Sequence, residues 1–155
     1  MNKAVKHILL FVVLVISTGI QIVGECDASA LKSELKQELK PDYKYDSSKT
    51  TRFTYKDKIQ TKEIEIPLYM GEKYRFAFNT AGLPEDVKIE IHSKPIGHRK
   101  RELIYQLKKK ENQHLYSFDP EKSKKMYITY TIPAVEGEEL NGCITFLLGY
   151  KVSIF

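Results

Sequence analysis

Lys62 to Phe78 reads "KEIEIPLYMGEKYRFAF", and the period of this stretch decides the fold. Ile64, Ile66 and Leu68 alternate with Glu63, Glu65 and Pro67; beyond Gly71, Tyr74, Phe76 and Phe78 alternate with Lys73, Arg75 and Ala77. Successive side chains of an extended chain point to opposite faces, so an apolar residue at every second position sends one row into a core and leaves the other in water. "YMGEK", around Gly71, is the turn between these two half-buried strands.

The same period recurs on both sides. Upstream, "TRFTY" (Thr51 to Tyr55) reads as a strand. Downstream, "AGLPED" (Ala81 to Asp86) is a turn, and Val87, Ile89 and Ile91 then alternate with Lys88, Glu90 and His92. "RELIYQLKKK" and "HLYSF" read as a further pair, and "MYITYTI" (Met126 to Ile132) alternates up to Pro133. "CITFLLGYKV" (Cys143 to Val152) is apolar on both faces, as expected of a central strand covered from both sides. About eight short strands at regular spacing predict an all-β chain, an antiparallel, jelly-roll-like β-sandwich.

One segment has a different period. In "DASALKSELKQELK" (Asp27 to Lys40), Leu31, Leu35 and Leu39 stand four residues apart among lysines and glutamates, the stripe of an amphipathic helix. Asp27 or Ser29 caps its start and Pro41 stops it. A helix this short is marginal alone in water, so its leucine stripe should lie on the main body. "PDYKYDSSK" then reads as a polar connection.

At the N-terminus, Lys3, Lys6 and His7 precede nine apolar residues, Ile8 to Ile16, followed by Ser17, Thr18 and Gly19. Charged, apolar and small-residue parts in that order predict a secretory signal, cleaved after Gly19 or Gly24. A membrane anchor needs roughly 20 predominantly apolar residues, and Ser17, Thr18, Gly19 and Gln21 dilute this run. The expected organisation is a signal at 1–24, the amphipathic helix and linker at 25–49, and the sandwich at 50–155. Export places the protein in the periplasm or outside the cell, not spanning a membrane once the signal is gone.

Glu25 occupies the position before Cys26 that a lipoprotein signal gives to a small residue, which argues against lipidation. In an oxidising compartment Cys26 and Cys143 are candidates for one disulfide, with two free buried thiols as the alternative. The mature chain, roughly 130 residues, is enough for one domain with a real core. Loss of Lys3 and Lys6 with the signal lowers the formal charge from +5 to +3. A charge so mild argues against a general nucleic-acid binder.

The stretches "KEIEIPLYMGEKYRFAF", "DVKIEIHSK", "LYSFDPEKSKKMYITYTI" and "GCITFLLGYK" together resemble the bacterial pre-peptidase C-terminal type of small secreted β-sandwich. There an alternating strand runs through a Gly turn into an aromatic-rich strand, and a Phe-x-Pro turn feeds alternating aromatics; here these are Ile64 to Leu68, Gly71, Tyr74 to Phe78, then Phe118, Pro120, Tyr127 and Tyr130. The resemblance covers roughly Thr61 to Lys151. It implies an accessory domain and supplies no site residues. The N-terminal helix, the cysteine pair and the lack of an attached protease depart from that pattern.

Motifs for chemistry are sparse. His92, His98 and His114 show no ligand spacing with each other or with the cysteines, so no metal site and no cofactor is predicted. No serine lies in a G-x-S-x-G turn, and acidic pairs such as Glu63 with Glu65 or Glu138 with Glu139 fit solvated strand faces and loops. The expectation is a non-catalytic binding or accessory protein. A hydrolase with a site assembled from distant residues, such as His92, Asp86 and a glutamate, is the alternative from another class. A small outer-membrane barrel is a third reading, against which strands of about seven residues fall short of the 9 to 11 needed to cross.

The feature with a physical argument behind it is "KPIGHRKRELIYQLKKK". Lys94, His98, Arg99, Lys100 and Arg101 gather at its start and Lys108, Lys109 and Lys110 at its end, so pairing with a neighbouring strand would concentrate positive charge along one edge. Such an edge suits an anionic envelope or extracellular partner: an acidic glycan, a lipid headgroup or an acidic protein. Alternatively, the lysines simply protect an edge strand from pairing with other chains. Tyr43, Tyr45, Tyr69 and Tyr127, read as outward or in loops, offer sugar-stacking rings if they form a row.

Overall fold

A computed structural model describes residues 26–122, 124–137 and 139–152. The signal expected at 1–24 lies outside the described residues. Helix α1 (Ala28–Leu35) continues into a 3-10 turn (Lys36–Leu39), and the strands are β1 (Lys44–Thr54), β2 (Gln60–Ile66), β3 (Glu72–Asn79), β4 (Lys88–His92), β5 (Leu103–Gln106), β6 (Leu115–Phe118), β7 (Met126–Ile132) and β8 (Asn141–Val152). They form two antiparallel four-stranded sheets, ordered β1-β8-β3-β6 and β2-β7-β4-β5. The chain passes from one sheet to the other at every strand connection except β4 to β5.

The alternation seen in the sequence is what closes this sandwich. Tyr74, Phe76 and Phe78 of β3 and Ile144, Phe146 and Leu148 of β8 turn inward from one sheet; Ile64, Ile66, Ile89, Ile91, Ile128, Tyr130 and Ile132 meet them from the other. Phe146 lies with its ring centroid 5.4 Å from that of Phe76 and 5.5 Å from that of Phe78, tilted against both. Apolar side chains point between the sheets, the reverse of a transmembrane barrel with its outward apolar band.

β8 is apolar on both faces because a second layer covers its outer side. Asp27 caps α1, its Oδ1 accepting from the amides of Ser29 (3.0 Å) and Ala30 (3.1 Å). Leu35 and Leu39 then reach the outer face of the first sheet and pack on Ala77 of β3 and Leu147 of β8. The approach is close at Gly149, where any Cβ would collide with Leu39. Gly149→Ala should therefore destabilise by about 1 to 3 kcal/mol through overpacking. A urea titration checks this, and an unchanged midpoint would contradict the seating of the leucine stripe.

A disulfide pins the start of the helix layer: Cys26 and Cys143 are bonded at 2.06 Å across 117 residues of sequence. Such a bond is compatible with an oxidising, extracytoplasmic compartment.

Two strand assignments differ from the sequence reading. β1 begins at Lys44, inside the stretch read as a linker. It is an edge strand whose first four residues are exposed, so burial imposes no apolar alternation there. β5 and β6 do not pair with each other, because the chain crosses between sheets after β5; β5 pairs with β4 and β6 with β3.

Candidate functional site

The basic residues fall into two groups. β5 is an edge strand, as the charge argument required, but it is only four residues long and the groups flank its two ends. Lys94, His98, Arg99, Lys100 and Arg101 lie in the β4–β5 loop, whereas Lys108, Lys109 and Lys110 follow β5 at the opposite end of the sandwich. The structure does not bring all of them together.

Within the β4–β5 loop the charges are not equivalent. Arg101 folds back over the outer face of the second sheet, where Glu63, His92 and Thr129 point outward from β2, β4 and β7. Its Nη1 donates to Glu63 Oε2 (2.7 Å) and to the Lys94 carbonyl (2.9 Å), and its Nη2 donates to Thr129 Oγ1 (2.7 Å) and lies 2.9 Å from His92 Nδ1. The Ile96 amide also donates to Glu63, at 3.0 Å. This cluster fastens the loop to the sheet and consumes Arg101. Lys94, His98, Arg99 and Lys100 stay exposed, and among the described residues none of them has a carboxylate partner. His98 Nδ1 accepts from the Lys100 amide at 3.0 Å, which ties the turn of the loop.

Partial burial pushes the Glu63 carboxyl up, but hydrogen bonds from Arg101, the Ile96 amide and Thr129, with the Arg101 charge, together bring it below its ordinary value. Burial, then the Arg101 charge, lowers His92 from 6.5. With the guanidinium donating to Nδ1, the ring is neutral and carries its proton on Nε2. The unfolded chain takes up the second proton, the one that would go on Nδ1, more readily than the folded one, so this contribution to stability is present above pH 6.5 and is lost as pH drops through the folded value. Thermal melts across this interval should show a drop that His92→Gln reduces; identical pH profiles would contradict the contact.

At the other end, Lys109 pairs with Asp86, and Glu85 and Glu111 are its acidic neighbours in sequence or loop. His92 and Asp86 are therefore held by different partners, and the glutamate beside His92 is Glu63. His114 lies 3.5 Å from Glu34 beneath α1, far in the fold from His92. Among the described residues no group of three or more His, Cys, Asp or Glu could hold a metal ion, and no helix is long and apolar enough to cross a membrane.

The four tyrosines do not form one row. The Arg75 guanidinium covers the Tyr43 ring at 4.4 Å, Lys32 lies over Tyr45 at 4.9 Å, Tyr127 is on the other sheet, and Tyr69 sits in the β2–β3 turn. A cleft of about 330 Å³ opens between the β5 and β6 edges, with Ile104, Phe118 and Met126 as its apolar wall and Glu121, Lys122 and Lys124 at its mouth.

No protein-family model matches this chain, and no curated protein matches it in sequence. The likeness to pre-peptidase C-terminal domains accordingly rests on the strand grammar.

Proposed function

We propose that the protein is an exported, non-catalytic binding or accessory domain of jelly-roll-like build that meets an anionic envelope or extracellular partner through its β4–β5 loop. The carrying observation is that Lys94, Arg99 and Lys100 are exposed and, among the described residues, without carboxylate partners, on a loop that Arg101 and Glu63 hold in place. Fixed cations of one sign on an anchored loop attract an anion at little ordering cost. The order β1-β8-β3-β6 against β2-β7-β4-β5, with its repeated crossings, supports the jelly-roll reading, and the disulfide supports export. Capture of His92 by Arg101 supports a structural role for that histidine over a catalytic one.

Lys94→Glu with Arg99→Glu and Lys100→Glu should abolish salt-sensitive retention on an anionic matrix, while Lys108→Glu with Lys109→Glu should leave most of it. Equal retention of all three proteins would favour the second reading, supported by the edge position of β5, in which the lysines protect that strand from pairing with other chains.

A further inference from the structure

Among the described residues the two most exposed large apolar side chains are neighbours: Tyr69 is 71% exposed and Met70 91%. They form the tip of the β2–β3 turn, closed by Gly71 at φ 89°. The Tyr69 amide donates to the Tyr74 hydroxyl at 3.0 Å, which fixes the root of the turn. Single apolar residues on a surface are ordinary. Two adjacent ones at the apex of an anchored turn, with cationic loops beside them, call for an account.

The register supplies those loops. β2 ends at Ile66 opposite Met126, the first residue of β7, and β4 ends at His92 opposite Tyr127. The β2–β3 turn, the β6–β7 connection and the β4–β5 loop therefore leave the same end of the sandwich. They carry Lys122 and Lys124 as well as Lys94, Arg99 and Lys100, all exposed and outside any ion pair among the described residues. The carboxylates of Glu63, Glu65 and Asp119 at this end are taken by Arg101, Lys125 and Arg75. Exposed Asp46, Glu102 and Glu121, with Glu72 at the base of the turn where it accepts from the Tyr74 hydroxyl at 2.7 Å, stand against those five cations.

We infer that this end of the sandwich docks on a bilayer of anionic lipid, with Tyr69 and Met70 entering the headgroup boundary and the flanking lysines and arginine facing the phosphates. The inference rests on the proposed anion-binding reading of the β4–β5 loop and names its partner. A glycan could stack on the Tyr69 ring but would leave the Met70 side chain in water, whereas an interface takes up both the tyrosine ring and the unbranched thioether while basic residues hold the charged surface.

The test is co-sedimentation of the disulfide-intact mature protein with phosphatidylcholine vesicles, with and without phosphatidylglycerol. Wild type should bind the anionic vesicles only, and less at high salt. Lys94→Glu with Arg99→Glu and Lys100→Glu should weaken partitioning by at least about 100-fold, from the loss of three basic residues at roughly a fivefold factor each near an anionic surface, with repulsion of the three new carboxylates adding to it. Tyr69→Ser with Met70→Ser should also release the protein from vesicles while leaving its thermal midpoint and its retention on an anionic matrix unchanged. Matrix retention without vesicle binding would overturn the lipid inference and leave the anion-binding reading standing, with an acidic glycan or protein as partner. Loss of neither property in the charge variant would overturn both. Full vesicle binding by the Tyr69, Met70 variant would overturn the insertion.

Discussion

Replacing Phe146 by alanine is expected to cost about 3 to 5 kcal/mol of stability. Phe146 is 1% exposed, touches Phe76 and Phe78, and stands on β8, the strand that pairs with both β1 and β3. Truncation removes the transfer energy of a ring and leaves a cavity that three strands cannot collapse around without breaking their ladders. A domain of this size is stable by about 5 to 15 kcal/mol in total, so the variant should be near its unfolding threshold. Urea titration followed by circular dichroism measures the loss. Ile59→Ala, at a position 67% exposed, is the control and should change little. A loss under about 1 kcal/mol for Phe146→Ala, below the usual range for a buried aromatic, would mean that the sheets do not enclose this ring.

The second large effect is expected from Cys26→Ser with Cys143→Ser. Opening a bridge that spans 117 residues of sequence should lower stability by about 4 to 5 kcal/mol in the chain-entropy description. The folded layer itself should survive, because other contacts hold the helix down. Asn79 Nδ2 donates to Glu34 Oε2 at 2.8 Å and to the Leu31 carbonyl at 3.3 Å, Arg75 Nη1 donates to the Glu38 carbonyl at 3.0 Å, and Leu35 and Leu39 stay buried. The variant should thus keep a native spectrum in buffer and unfold at much lower urea, with faster amide exchange over residues 28–39 than over β3 and β8. Gly82 makes the site sensitive to crowding as well, since a Cβ there would meet Cys143 Sγ. A midpoint that does not move on reduction would contradict the strap.

The elements that could be read in the sequence are those whose burial is one-sided and regular. β2, β3, β4 and β7 each send a large apolar residue into the core at every second position, though Ala77 and Asn79 of β3 and Thr129 of β7 are buried on the other face, and the helix layer buries every fourth residue through Leu31, Leu35 and Leu39, so period alone separates them. β8 was legible as a covered strand because its outer residues Leu147 and Gly149 meet the helix layer. The start of β1 carries no such signal. Its free edge and outer face meet water, and only Phe53 in it is fully buried. Sheet membership was equally silent, since the alternation of β5 and β6 is the same whichever sheet receives them.

The candidate site was legible in part. Charge density marked the β4–β5 loop, but nothing local told that Arg101 would be spent inside the fold while Lys94, Arg99 and Lys100 stayed free. The Glu63, His92, Arg101 and Thr129 cluster escaped because its members come from three strands and a loop, up to 66 residues apart. The one hint was alternation, which already turned Glu63, His92 and Thr129 to the solvent side. Likewise, the Tyr69, Met70 tip reads as ordinary turn sequence until the register sets it beside the basic loops.

Intact-mass measurement of the protein recovered from the envelope and medium of the cells that make it tests most directly the proposal that the chain is exported with its sandwich tied by one disulfide. The mass should correspond to a chain that starts after Gly19 or Gly24 and is lighter by two hydrogens than its reduced form. A chain retaining Met1 to Gly24, held inside the cell with two free thiols, would contradict the account.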